Sequence, residues 1–342
     1  MEKIAIITGA NGQDGSYLSE LLVLKGYSVI GVIRRSSVEK FDNLENVIGD
    51  SRFQVVEGDI ADPSSVNSLL RKYQPDEFYN LAAQSHVATS FVQPTYTFNV
   101  NAVGVLNILE GIRHVSPKTR LYQASTSEMF GSNYDIKSEY VGGYDLETKY
   151  QDEKTPFNPR SPYGVAKLAA HKLVNIYRDA YNIHGSCGIL FNHESPRRGV
   201  NFVTRKITKY IGKLIVDFEN DKEQYERLKL GNIDSVRDWG HAQDYVEGMW
   251  LMLQQDKPDD YVLATGECHS VREFLQIAFS KYELNYEDWI EIDPNLYRPA
   301  DVVHLNGDAD KALLKLGWKP KKKFSDLVTD MLESDYQYAK TH

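Results

Sequence analysis

Two short stretches collect side chains able to move protons. In Ser161-Pro162-Tyr163-Gly164-Val165-Ala166-Lys167 a phenol and a primary amine stand four residues apart, about one helical turn. Ser161 can cap a helix and Pro162 suits its first position, so Tyr163 and Lys167 are expected one above the other on one face. A neighbouring ammonium favours the ionised phenol, which would bring Tyr163 toward the range of a general base. The same spacing recurs on ordinary solvated helices, so its meaning depends on what surrounds it. The second stretch, Thr126-Ser127-Glu128, adds hydroxyls and a carboxylate.

The elements around these stretches are those of a doubly wound parallel α/β sheet. Leu121–Ser125 reads as a strand that delivers Thr126, Ser127 and Glu128 at its carboxyl end, where such sheets place their chemistry. Upstream, the β-rich run Ile4–Thr8 is followed by Gly9-Ala10-Asn11-Gly12-Gln13-Asp14-Gly15 and by a helical pattern through Tyr17, Leu18, Leu21 and Leu22. Strand, glycine loop and helix in this order let the backbone approach a pyrophosphate at a helix amino end. Ser28–Arg35 reads as a second strand. It ends in Arg34-Arg35-Ser36-Ser37, about 20 residues past the loop, where an acidic residue would mark NAD. Guanidinium groups and hydroxyls suit a 2′-phosphate instead, so NADP is the expected cofactor.

A third strand, Phe53–Asp59, ends in Asp59, which could accept from an adenine amino group or cap the following turn. Glu77–Ala82 is a fourth, running into Ala83-Gln84-Ser85-His86. His86 lacks partners at metal-ligand spacing, and no metal is expected. Thr95–His114 reads as one helix, and Ser186–Phe191 as a sixth strand followed by Asn192-His193-Glu194-Ser195-Pro196-Arg197-Arg198-Gly199. The polar segment between Gly131 and Pro159 shows little periodicity. It reads as a loop excursion serving as a lid, a subunit contact or a tolerated insertion. Helices are expected over Phe202–Val216 and Tyr245–Leu253, after a Ser270 cap, and over Phe324–Tyr338.

With 342 residues, 42% hydrophobic and 25% charged, the chain suits a globular protein with one large core and an appended lobe. The boundaries expected are 1–192 for the dinucleotide-binding part, with later elements returning near 241–270, and 193–342 for the substrate lobe. A formal charge of −9 argues against general nucleic-acid binding. No run is long and apolar enough to span a membrane. Cys187 and Cys268 are the only cysteines, too few for a disulfide framework and expected to be buried, which fits a reducing, cytoplasmic setting.

Taken together, the glycine loop, Arg34–Ser37, Tyr79–Val87, Gln123–Glu128, Arg160–Gly164 and Phe191–Gly199 resemble the extended short-chain dehydrogenase/reductases acting on nucleotide sugars. Within them the chain is similar to the GDP-mannose 4,6-dehydratase family. The resemblance covers nearly the whole length, and the Asn192–Gly199 segment is its most specific part. It implies that Thr126, Glu128 and Tyr163 are catalytic, and that Lys167 binds the nicotinamide ribose. It implies NADP contacts at Gly9, Ala10, Asn11, Gly12, Gln13, Asp14, Arg34, Arg35, Ser36, Ser37, Asp59, Ile60, Leu81, Ala82, Ala83, Gln84, Ser85, Tyr96, His193 and Arg198. Asn192, Lys206, Arg237 and Arg298 are implied for the GDP-sugar, beside Ser85, Thr126, Glu128 and Tyr163.

The implied reaction converts GDP-D-mannose to GDP-4-dehydro-6-deoxy-D-mannose and water, with a homodimer or homotetramer as the assembly. Tyr163, assisted by Thr126, takes the O4 proton while hydride leaves C4. Glu128 handles the C5 proton and the departing C6 oxygen before hydride returns to C6. The sequence departs from the family pattern after Ser37, at Val38–Asn43, and in the length of the 131–159 excursion. That extra length leaves a GDP-manno-heptose open as substrate. An epimerase or reductase on the same scaffold would not need Glu128, and a non-catalytic NADP sensor would need neither it nor Tyr163.

Overall fold

The computed structural model describes residues 2–38, 41–141, 144–222, 224–297, 302 and 304–342. Arg298, expected at the GDP-sugar, and Glu39 and Lys40, within the stretch that departs from the family pattern, lie outside the described residues.

The chain opens with β1 (Ile4–Thr8), α1 (Gln13–Leu24), β2 (Ser28–Ile33), β3 (Phe53–Glu57), α2 (Pro63–Tyr73) and β4 (Glu77–Asn80). Ala5, Ile6 and Ile7 are fully buried, as a parallel strand covered on both faces requires. Next come α3 (Val87–Val92), α4 (Pro94–Phe98), α5 (Gly104–Val115), β5 (Arg120–Ala124), the hairpin of β6 (Asp135–Val141) and β7 (Tyr144–Tyr150), α6 (Pro162–Tyr181), β8 (Gly185–Leu190) and β9 (Asn192–Glu194). The remainder is α7 (Val203–Glu219), β10 (Leu228–Leu230), β11 (Val236–His241), α8 (Ala242–Leu253), β12 (Asp260–Leu263), β13 (Cys268–Ser270), α9 (Val271–Ser280), β14 (Ile290–Ile292), β15 (His304–Leu305), α10 (Asp310–Leu316) and α11 (Phe324–Thr341).

Among the described residues seven strands form one sheet in the order β12-β8-β5-β4-β1-β2-β3, every neighbour parallel. One face packs on α1 and α8 through Leu18, Leu22, Val246, Met249 and Met252. The other packs on α2, α5 and α6 through Leu70, Ile108, Ile112, Ala170 and Val174. Chain order reverses between β1 and β4, and ligands bind outside the carboxyl ends at such a switch point. A third apolar cluster joins α7, α9 and α11 around Trp239, Phe274 and Met331. The strand β11 pairs in a separate small sheet with β9, which directly follows β8 in the chain, Trp239 opposite Asn192 and Gly240 opposite His193.

Three sequence expectations need correction. The helix expected over Thr95–His114 is interrupted by a π-turn at Asn99–Val103, and such wide turns gather at functional sites. Here the turn aims Asn101 at the strand-end loop, where its side chain accepts from Gln84 N at 2.8 Å and donates to Gln84 O at 2.9 Å. The 131–159 excursion is a β-hairpin over most of its length, Asp135 opposite Tyr150 through Val141 opposite Tyr144. Its neck closes tightly, because Gly131 takes φ +60° and an added Cβ there would lie 1.9 Å from Asn158 O. Cys187 is buried as expected, whereas Cys268 is only partly so.

Candidate active site

At the start of α6 the expected cap is formed: Gly164 N donates to Ser161 Oγ at 3.0 Å, with Pro162 at the first position. Tyr163 and Lys167 are both buried on the face turned to β5. Gly164 lets the helix approach the opposite turn, since a Cβ there would stand 3.0 Å from Glu128 O. Thr126 is extended (φ −155°, ψ 147°), and its Oγ1 accepts from Glu128 N at 3.3 Å, which initiates the turn Ser127–Met129. Thr126, Glu128 and Tyr163 therefore line one cleft of about 980 Å³ at the carboxyl ends of the strands.

The electrostatics differ from the sequence expectation in one respect. Burial pushes the Tyr163 phenol up to about 12, the Thr126 hydroxyl pulls it back, and the Glu128 carboxylate raises it further. Lys167 does not offset this. Its Nζ lies 5.9 Å from the centre of the Tyr163 ring and donates to Ala124 O at 2.8 Å. Burial lowers the Lys167 amine to about 8. Proximity on the helix face is as expected, but desolvation outweighs the ammonium's pull on the phenol.

At the switch point Gly9 takes φ +67° and lies against Leu81 and Ala82, while Gly15 clears Gly9 O, which a Cβ would meet at 2.2 Å. Gly12 caps α1 with no side-chain acceptor, so the first amides of the helix are left for an anion. Thr8 Oγ1 accepts from Leu81 N and Ala82 N, at 3.1 Å each, and donates to Asn80 Oδ1 at 2.7 Å. Asn80 continues to Gln123 Oε1 at 2.8 Å and Gln123 to Ala124 O at 2.8 Å, the acceptor that Lys167 shares. This buried chain fixes the heights of β1, β4 and β5 against one another.

Of the residues singled out for a cofactor, Gly9, Asn11, Gly12, Gln13, Asp14, Arg34, Asp59, Ile60, Leu81, Ala82, Ala83, Ser85, Tyr96, Lys167, His193 and Arg198 line the cleft. Ala10 instead faces the core. Gln84 is held by Asn101, and Arg35, Ser36 and Ser37 are exposed beyond β2; none of these four is on the cleft wall. Arg34 donates to the Tyr96 hydroxyl on the cleft wall. Asp59 accepts from Ala61 N at 2.9 Å, so it caps the turn while facing the cleft. His193 Nε2 meets Asp14 Oδ2 at 2.8 Å and stacks on Tyr245 at 4.6 Å. Burial works against both charges of this pair. The Asp14 carboxylate nevertheless raises His193, and His193 lowers Asp14. Asn192, Lys206 and Arg237, expected at the GDP-sugar, line the same cleft.

The sequence profile of the family described as "GDP-mannose 4,6 dehydratase" matches residues 6–331. The chain belongs to that family. It is 49% identical to GDP-mannose 4,6 dehydratase 1 of Arabidopsis thaliana, over 99% of this chain and 91% of the plant protein. It is 42% identical to the Homo sapiens GDP-mannose 4,6 dehydratase, over 99% and 93%. Among solved structures, dTDP-glucose 4,6-dehydratase of Streptomyces venezuelae, with NAD and TYD bound, superposes with a TM-score of 0.82 at 21% identity, covering 98% of this chain and 97% of that one. UDP-glucose 4-epimerase of Thermotoga maritima gives 0.79 at 22% identity, over 99% and 100%. Membership in the GDP-mannose 4,6-dehydratase family makes this chain an enzyme, a hydro-lyase acting on a GDP-sugar.

Several cleft residues carried no signal in the sequence. Asn232, Ser235, Leu296 and Tyr297 line the lobe side of the GDP-mannose 4,6-dehydratase cleft. They come from short irregular segments, and a Cβ on Gly231 would meet Leu296 O at 2.8 Å. The hairpin expected as a lid, subunit contact or insertion does not enter: no described residue between 131 and 159 lines the cleft. Among the described residues no helix is long and apolar enough to cross a membrane.

Proposed function

We propose that the chain dehydrates GDP-D-mannose to GDP-4-dehydro-6-deoxy-D-mannose, with NADP as resident cofactor. The observation that carries this reading is the convergence of Thr126, Glu128 and Tyr163 on one cleft wall. A carboxylate beside the Tyr163 phenol is what C5 and C6 chemistry needs beyond oxidation at C4. Family membership at 42% to 49% identity supports the substrate.

The residues present fit a dinucleotide. Gly9, Gly12 and Gly15 line the cleft, the loop folds closely against Leu81, Ala82 and its own backbone because Gly9 and Gly15 carry no Cβ, and the uncapped amino end of α1 favours a pyrophosphate. Arg34 offers a guanidinium at the end of β2, the expected reader of a 2′-phosphate. When bound, the nicotinamide ring supplies the reversible hydride acceptor that the C4 oxidation and the C6 reduction share. Lys167, anchored on Ala124 O, would hold the adjoining ribose.

Tyr163 acts on the sugar O4 proton, helped by the Thr126 hydroxyl that pulls its ionisation back toward neutrality. The resulting ketone acidifies C5. Glu128 removes the C5 proton and delivers a proton to the departing C6 oxygen, so water leaves; a proton then returns to C5. Lys206 and Arg237 supply cations on the lobe side for the diphosphate. In this reading residues 1–192, with the return near 241–270, carry the cofactor, and 193–342 carry most of the GDP-sugar site. The assembly would be a homodimer or homotetramer. The hairpin's length carries no argument for a heptose, because none of its described residues enters the cleft.

The test incubates the protein with GDP-mannose and catalytic NADP+ in heavy water and follows the products by mass spectrometry. The expected product is lighter by one water, carries deuterium at C5, and forms without net NADPH. Untouched GDP-mannose beside dehydrated GDP-manno-heptose would move the substrate; untouched samples of both would overturn the reading.

A further inference from the structure

A buried polar chain runs back from Ser125 on the cleft wall and takes no part in the chemistry above. Ser125, the last residue before Thr126, has its Oγ 3.0 Å from His171 Nδ1. The other nitrogen, Nε2, faces Asp260 Oδ2 at 3.5 Å. Asp260 is in turn held by Arg178 at 2.5 Å, Asn175 at 2.8 Å and the amide of Cys187 at 3.2 Å. Ser125 and His171 are 4% and 2% exposed. An ionised carboxylate only accepts, so Asp260 favours the imidazole proton on Nε2, which leaves Nδ1 to accept from the Ser125 hydroxyl. Burial lowers His171 to about 4, which keeps the ring neutral. His171, Cys187 and Asp260 also lie within metal-ligating reach of one another. The guanidinium and amides already on Asp260 make the group a hydrogen-bonded relay.

The placement on α6 gives the relay its significance. Tyr163, Lys167 and His171 are spaced four residues apart, one per turn of one helix face. Lys167 holds Ala124 O and His171 holds Ser125 Oγ, two consecutive residues at the end of β5. The residues that follow are Thr126 and Glu128. We propose that His171 is a positioning residue for the dehydration, acting through Ser125 to keep Thr126 and Glu128 in register with Tyr163. The helix that carries the phenol thus also grips the strand end that carries its partners. A displacement of about 1 Å at a reacting group costs on the order of 10²-fold in rate.

The proposal rests on the dehydratase reading, and the experiment separates the two. The unaltered protein is assayed first on GDP-mannose and GDP-manno-heptose, followed by Ser125→Ala, His171→Leu and His171→Gln. Glutamine can still accept from Ser125 and donate to Asp260. For Ser125→Ala and His171→Leu the expected result is a kcat lower by about 10- to 100-fold, with KM and NADP+ affinity nearly unchanged. His171→Gln should recover most of that loss. A Ser125→Ala kcat within about twofold of the parent overturns the proposal, as does a loss shared equally by KM and cofactor affinity and not recovered by glutamine. If the parent turns over neither sugar, the functional reading fails. The positioning role is then read from hydrogen exchange at amides 126–129: Ser125→Ala should speed it by about tenfold, and unchanged protection overturns the role.

Discussion

Lys167 donates to the carbonyl oxygen of Ala124 at 2.8 Å, two residues ahead of Thr126, and so joins α6 to the end of β5. The bond leaves a buried amine whose ionisation is lowered to about 8 from an ordinary 10.5. Between those values the unfolded chain binds more protons than the folded one, so this residue makes stability rise with pH. The Tyr163 phenol works in the opposite sense at higher pH, because its folded value of about 12 exceeds the ordinary 10. Denaturant titrations from pH 8 upward should therefore give a slope more positive in the unaltered protein than in Lys167→Met, by at most about 1 kcal/mol per pH unit. Equal slopes would mean that Lys167 is not desolvated.

Glu128→Gln removes the carboxylate proposed to shuttle a proton between C5 and C6 and leaves the shape of the cleft. Turnover of GDP-mannose to the dehydrated product should fall by about 10²- to 10⁴-fold. Affinities for NADP+ and GDP-mannose, measured by calorimetry, should hold within about threefold. Retained turnover would remove Glu128 from the mechanism.

Tyr163→Phe keeps the ring packing and deletes the phenol oxygen, so its thermal midpoint should stay close to the parent's while turnover drops by about 10²- to 10⁴-fold. Thr126→Val should cost less, about tenfold, because Thr126 tunes the phenol and does not itself take the proton. A larger loss for Thr126→Val than for Tyr163→Phe would reverse the two assignments.

The parts of the site legible in the sequence are those encoded locally. The Ser161 cap with Pro162, the glycine loop before α1 and the Ser270 cap each follow from residues a few positions apart. The hairpin was not legible. Its neck depends on Gly131 meeting Asn158, and its base is tied to a distant segment by Gln151 N to Asn306 O at 2.8 Å and Asp308 N to Gln151 O at 2.9 Å. The π-turn at Asn99–Val103 breaks a pattern whose apolar spacing reads as a continuous helix, because what fixes it is Asn101 holding Gln84. The ionisation of Tyr163 is set by a related cause: helix spacing gives proximity to Lys167, but burial is a property of the assembled sheet.

The proposed preference for NADP+ gives the last prediction. Among Arg34, Arg35, Ser36 and Ser37, only Arg34 lines the cleft, with its guanidinium donating to the Tyr96 hydroxyl. An exposed arginine held by a phenol is pre-aimed, so less side-chain freedom is lost when it meets a phosphate. Arg34→Ala should reduce the preference for NADP+ over NAD+ by about 10- to 100-fold, mostly by weakening NADP+. Tyr96→Phe removes only the aiming contact and should weaken NADP+ by a few-fold at most, about the value of one exposed hydrogen bond. Arg35→Ala should leave the preference unchanged. Competitive titration of both dinucleotides against the three variants reads all of this in one series. A loss of preference on Arg35→Ala equal to that on Arg34→Ala would mean that the end of β2 rearranges when the phosphate binds.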